Sequence, residues 1–202
     1  MITGPKYKIA RRLGAPIFEK TQTQKYALHL ERKGKKKGFT KPKSEYGLQL
    51  NEKQKARFTY GLGERQFSNY VKEALSKKTE NASQTIFQFL ELRLDNVLYR
   101  LGFAPTRSGA RQMASHGHMK VNGRKVDTPS RRLTIGDKIE ITERSLKKPL
   151  FENLDDRTKN VTVPSWIKYD AVKKEAVIQG LPQLVKTENM FDLNTVIEFY
   201  SR

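Results

Sequence analysis

Apolar residues in this sequence recur with two different spacings. From Leu50 to Leu101 they return at three- and four-residue steps, the period of helices that bury one face. "LNEKQKARFTYG" predicts a first helix with Asn51 as its N-cap and a glycine at its end, and "GERQFSNYVKEALSKK" a second with Phe67, Tyr70, Val71 and Leu75 on one side. A third is predicted through "NASQTIFQFLELRLDNVLYRLG", where Phe87, Leu90, Leu94, Val97, Leu98 and Leu101 form one stripe that stops at Gly102 and Pro105. Thr106 then suits the N-cap of a short helix of about three turns closing at Gly117, with Ala110, Met113 and Ala114 inward and Arg107 and Arg111, four residues apart, sharing another face. Beyond Gly117 the spacing shortens. "HMKV-NG-RKV" reads as two strands around an Asn-Gly turn, since both turn residues tolerate positive φ. The loop "DTPSRRLTIGD" leads to a further strand, "KIEIT". The tail from Val163 reads as short strands and turns, with Trp166, Phe191, Phe199 and Tyr200 as packing residues.

Residues 1–43 lack either spacing. Their run "ERKGKKKGFTKPK" has almost nothing to bury and reads as a basic arm that orders mainly on a partner. The whole chain has 202 residues, 36% of them hydrophobic, enough for modest cores. Its formal net charge is +19 and its pI about 10.1. That excess calls for a polyanionic partner. It is also uneven: residues 1–60 hold 16 Lys or Arg against 4 Asp or Glu and residues 91–148 hold 13 against 6, whereas residues 149–202 hold 7 against 8. The partner is therefore expected on the first sixty residues and on the middle segment. No run of apolar residues is long enough to span a bilayer, and "MITGPKYKIARR" has no signal-peptide core, so a soluble, intracellular protein is expected.

With no cysteine, disulfides, thiolate zinc sites, iron–sulfur clusters and cysteine nucleophiles are excluded. His116 and His118 supply two metal ligands at most, and the remaining histidine, His29, lies in the arm, so no zinc site is expected. "LRLD" at 92–95 resembles the arginine-leucine-aspartate signature of pseudouridine synthases. In those enzymes, however, the aspartate belongs to a large domain that follows such a module. Only 54 residues follow Lys148, and Asp95 falls within a helical stripe, which makes it a solvated or salt-bridged helix residue. There is no Ser-His-Asp set, Walker loop or dinucleotide glycine run, and "GLGER" lacks the preceding strand of a phosphate loop. Two alternatives stay open at this point: an RNA-modifying enzyme using the same module, and a free RNA-binding chaperone or translational regulator. Cations on a helix face and an adjacent hairpin, here Arg107, Arg111, Lys120, Arg124 and Lys125, suit neighbouring phosphates of folded RNA.

"ELRLDNVLYRLGFAPTRSGARQMASHGHMKVNGRKVDTPS" resembles the RNA-binding module of the small-subunit ribosomal protein S-four family. "TGPKYKIARRLG", "SEYGLQLNEKQKARFTYGLGERQFSNYVKEA" and "VIEFYSR" resemble, in the same order, that family's opening, helical region and ending. The resemblance implies an α+β fold without catalysis or cofactor: a basic N-terminal arm (1–43), a discontinuous, mostly helical domain (44–90 with 149–202), and an inserted helix-helix-hairpin RNA-binding module (91–148). It implies binding to the 5′ domain of small-subunit ribosomal RNA at a multi-helix junction, a part in nucleating assembly, and a cytoplasmic place in the small subunit of a bacterial or plastid ribosome. Neighbouring small-subunit proteins, and messenger RNA where it enters, are the further implied partners, with an influence on decoding accuracy. No membrane or small-molecule substrate is implied. Carried over by position, Arg107, Arg111, His116, Lys120, Asn122, Arg124 and Lys125 face RNA from the module, and Lys6, Arg11, Arg12, Lys53, Lys55, Arg57 and Arg65 from the rest. Many relatives hold zinc on cysteines in the arm. Here Tyr7 and Ala10 stand at the first pair's positions, so zinc is not expected, and the lysine run 35–37 is read as extra phosphate contact.

Overall fold

A computed structural model describes residues 4–33, 44–77, 81–159, 161–185 and 189–201, and the lysine run 35–37 lies outside them. The chain divides into two compact units, 1–86 with 184–202 and 87–183.

In the first unit α1 (Lys6–Leu13), α2 (Gln24–Lys33), α3 (Glu45–Thr59), α4 (Glu64–Ser76) and α10 (Leu193–Tyr200) are joined by the first part of α5 (Ala82–Glu91). The expected arm is built differently from the reading of residues 1–43. Ala10, Leu13, Ile17, Phe18 and Tyr26 bury themselves with Phe58 of α3, and Asn51 donates from its amide to the Leu13 carbonyl at 3.2 Å. Residues 4–33 therefore order through their own apolar positions, which are few and widely separated among cations. Asn51 does not cap α3. Ser44 does, accepting from the Gly47 N–H at 3.2 Å, so the helix starts earlier than its apolar pattern. On α4, Phe67, Tyr70 and Val71 are buried as expected, with Ala74 in place of Leu75, whose side chain is exposed.

The ending "VIEFY" is helical, not a strand. Asp192 caps α10 by accepting from the Asn194 N–H at 2.9 Å, and the helix packs on α3. There Glu64 receives Lys53 Nζ at 2.6 Å and the Tyr200 hydroxyl at 2.8 Å, while Lys53 also lies 4.6 Å from the Phe199 ring centre. Burial pushes the Glu64 carboxyl up, but the bonds from Lys53 and Tyr200 outweigh it and hold the group below its usual range.

The second unit takes up the rest of α5 and then α6 (Leu94–Arg100), α7 (Arg107–Ser115), β1 (Met119–Val121), β2 (Arg124–Val126), β3 (Lys138–Ile141), α8 (Glu143–Leu146), α9 (Leu154–Lys159), β4 (Ile167–Asp170) and β5 (Glu175–Ile178). The strands form one antiparallel sheet in the order β2-β1-β3-β5-β4. One apolar cluster runs from Leu92 to Ile178 and takes in Leu98, Phe103, Met113, Met119, Ile139, Phe151, Leu154 and Ile167. A boundary at residue 148 would cut through this core. β5 pairs with β3 (Ile139 opposite Ala176), so residues 149–183 complete the module's sheet instead of joining the helical unit.

The single long helix expected over 81–102 is two. Arg93 is extended (φ −72°, ψ 138°) and bridges to Arg132, with Leu94 N–H donating to the Arg131 carbonyl and Asp95 N–H to that of Pro129. The break leaves the apolar stripe intact, because Phe87, Leu90, Leu94, Val97, Leu98 and Leu101 are all buried. Asp95 is salt-bridged, as one reading had it, yet buried instead of solvated. It takes two nitrogens of the fully buried Arg93, at 2.9 and 2.5 Å. Each charge satisfies the other where water is absent.

Candidate nucleic-acid interface

The short helix α7 begins as its sequence predicts. Thr106 is extended and its hydroxyl accepts from the Gly109 N–H at 3.1 Å, while Ala110, Met113 and Ala114 turn into the core. That leaves Arg107 and Arg111 half-exposed on the outer side, one turn apart. Arg107 donates from Nε to Asn96 Oδ1 at 3.0 Å, and its guanidinium centre lies 4.2 Å from the Tyr99 ring centre. The helix closes through Gly117 at φ +67°, where a Cβ would collide with Lys125 Cε. Bare backbone there lets the lysine stem cross the helix end beside exposed His116.

The hairpin pairs Met119 with Val126, Lys120 with Lys125 and Val121 with Arg124. Asn122 (φ 51°) and Gly123 (φ 75°) make its two-residue turn. Met119, Val121 and Val126 are buried, which fixes the register and puts Lys120 and Lys125 side by side on the other face. Two like charges opposite each other weaken a hairpin. Glu143, 3.5 Å from Lys120 but itself well exposed, offsets this only slightly.

Asn122 has other employment. Its amide donates to Asp137 at 2.7 Å and its carbonyl oxygen accepts from the Lys138 N–H at 2.8 Å, latching the turn to β3. Burial pushes the Asp137 carboxyl up, but hydrogen bonds from the Thr134 backbone, Asn122 and the Thr134 hydroxyl outweigh it and leave the group below its usual range. His118, unlike His116, is buried. Its Nδ1 lies 2.9 Å from Ser145 Oγ, and desolvation, then the nearby charges of Lys148, His116 and Lys125, push it below the usual imidazole range.

In the other unit the seven transferred cations divide. Arg11, Arg12 and Arg65 are exposed, and Lys6 is half-exposed, 5.7 Å from the Phe18 ring centre. Lys55 is paired with Glu52 at 2.6 Å, while Arg57 bonds Gln54, sits 3.4 Å from Glu64 and covers the Phe58 ring. Lys53 is buried: only 7% of its side chain is exposed, and it is spent on Glu64 and two aromatic rings. It ties helices together and drops out of the RNA-facing set. At the positions read from sequence as the first cysteine pair's, Tyr7 packs at a tilt against Tyr26 (4.9 Å) and His29 (5.4 Å) and Ala10 is buried, and among the described residues no cluster of three metal-ligating side chains occurs. Sequence reasoning passed over Asn96 and Tyr99, which touch Arg107. Their three-residue spacing on one helix face was the available signal.

Two helices and a hairpin with cations along the α7 face and the turn define a small RNA-binding module carried by a second, helical unit. Residues 92–139 match the family described as the S4 domain, and residues 1–91 match the Ribosomal protein S4/S9 N-terminal domain. The chain is 42% identical to small ribosomal subunit protein uS4 of Persephonella marina over 201 residues, 98% of this chain and 97% of that one. It is also 42% identical to the protein of that name from Aquifex aeolicus (98% and 97% covered) and 37% identical to that from Chlorobium phaeovibrioides (96% of each). The chain belongs to the uS4 family of small-subunit ribosomal proteins, which are structural and not enzymatic. No helix among the described residues is long and apolar enough to cross a membrane.

Proposed function

We propose that this protein is a cytoplasmic, structural component of the small ribosomal subunit that binds the 5′ domain of the small-subunit RNA at a multi-helix junction and helps nucleate assembly. Neighbouring small-subunit proteins and incoming messenger RNA are its further partners, and an influence on decoding accuracy follows from that position. The observation that carries the reading is the cationic rim of the module. Arg111, Lys120, Arg124 and Lys125 stand out from α7 and the hairpin on a buried apolar base, with Lys120 and Lys125 forced together by the strand register. Such a surface gains from phosphate by releasing counterions. The relatives, all named uS4, point to the same assembly.

The test is equilibrium binding of the full chain to a 5′-domain fragment of small-subunit RNA over a salt series. The variant carries Arg111→Ala, Arg124→Ala and Lys125→Ala together, with circular dichroism as the folding control. Each lost phosphate contact reduces the magnitude of the log-affinity against log-salt slope by about 0.7 to 0.9, so the triple variant should lose roughly two units. Wild-type affinity at every salt concentration would remove this face as the RNA site.

A further inference from the structure

We infer that Glu91, Asn96 and Tyr99 form a clamp that holds Arg107 aimed at an RNA phosphodiester before RNA arrives, making it a positioned anchor. The inference rests on the RNA-facing reading of α7 given above.

The clamp begins in the core. Glu91 is 1% exposed, and its carboxylate is gripped at both oxygens by Arg100, Nε to Oε2 at 2.9 Å and Nη2 to Oε1 at 2.8 Å. Asn96, 2% exposed, spends its amide nitrogen on the same residue, donating to Oε2 at 2.9 Å and to the Glu91 carbonyl at 3.2 Å. A carboxylate and a carbonyl only accept, so the amide cannot turn round without facing oxygen to oxygen. Its Oδ1 is thereby directed outward, where it accepts from Arg107 Nε at 3.0 Å. Tyr99, one turn further along α6, supplies a flat face 4.2 Å from the guanidinium centre. One contact fixes an edge of the guanidinium and the other fixes its plane.

A purely structural role accounts for less of this. Arg100 already pairs with the buried Glu91, whereas Arg107 is half-exposed. Contacts to an exposed cation add little to stability. They do remove rotamer freedom that would otherwise be lost on binding, a gain in affinity of about threefold to tenfold.

The experiment measures affinity of the full-length chain for the same RNA fragment over the salt series. Its variants are Arg107→Ala, Asn96→Ala, Tyr99→Leu, Tyr99→Phe and the double variant Asn96→Ala with Arg107→Ala. Arg107→Ala should reduce the salt slope by somewhat under one unit. Asn96→Ala and Tyr99→Leu should each weaken binding by about threefold at unchanged slope, because the cation remains. Tyr99→Phe should bind like the wild type, and the double variant no worse than Arg107→Ala alone. An Asn96→Ala loss that persists undiminished without Arg107 would overturn the clamp, since the amide would then act through the fold. Wild-type binding by Tyr99→Leu and Asn96→Ala beside a weakened Arg107→Ala would also overturn it, while leaving the RNA face in place. Wild-type binding by Arg107→Ala overturns it too, with the face itself decided by the triple variant above. If Asn96→Ala does not fold, the two Tyr99 variants decide: a weakened Tyr99→Leu beside an unaffected Tyr99→Phe supports the clamp, and wild-type binding by both overturns it.

Discussion

His118 shows how much one side chain's surroundings decide. Its ring is buried edge-on to Phe151 (5.8 Å between centres) and bonded to Ser145, whose hydroxyl lies 2.6 Å from that of Thr142. Desolvation first, and the cations around it second, lower its pKa, so the unfolded chain takes up this proton more readily than the folded one. Stability is therefore full above the ordinary imidazole value of about 6.5 and is lost as pH falls below it. Thermal melts should show the wild type losing stability between about pH 7.5 and 5.5 by more than a His118→Gln variant does. An equal loss in wild type and His118→Gln would show that other groups carry the effect. Nothing in "SHGHMK" tells these two histidines apart; the difference is made by α8, which brings Ser145 to one of them. Lys53 has the same history, since a lysine in a basic chain looks like every other until Glu64, Phe199 and Tyr200 close around it.

At the scale of elements, the hairpin was fully legible because its signal is local. Asn122 and Gly123 take the positive φ that only such residues adopt at little cost, and the apolar alternation sets the register. A Cβ on Gly123 meets nothing within 4 Å, so the cost of Gly123→Val begins with backbone strain at positive φ, roughly 1–2 kcal/mol. Melting and RNA titrations should find this variant less stable and weaker in binding with its salt slope unchanged, because no cation is removed. A reduced slope would mean that the turn had carried the cations out of reach altogether. Helices read from period alone fared unevenly. The break at Arg93 keeps the stripe in phase, so periodicity cannot see it, and it depends on residues 129–132 reaching back from a distant loop. α10 is written in residues that favour strands, Val196, Ile197, Phe199 and Tyr200, and becomes helical through the Asp192 cap and packing on α3.

For the molecule as a whole, composition revealed the partner class and the charge distribution, while the boundaries needed the sheet. β5 supplies β3 with its second neighbour, and Lys138 bridges the facing carboxylates Glu140 and Glu175 at 2.7 and 2.9 Å. A fragment ending at residue 148 loses that strand together with Phe151, Leu154, Ile167 and Ile178, all buried. Residues 87–183 expressed alone should therefore melt cooperatively, whereas residues 91–148 should give a broad, weak transition by calorimetry or circular dichroism. A sharp transition in the shorter piece would make the added strands an ornament. At the sheet's other margin, β2 pairs with β1 alone among the named strands, and an edge strand is where a sheet is prone to pair with another chain. Consecutive Arg124 and Lys125 make such pairing between two copies repulsive. The residues proposed to hold RNA thus also disfavour edge-to-edge pairing of two copies of the chain.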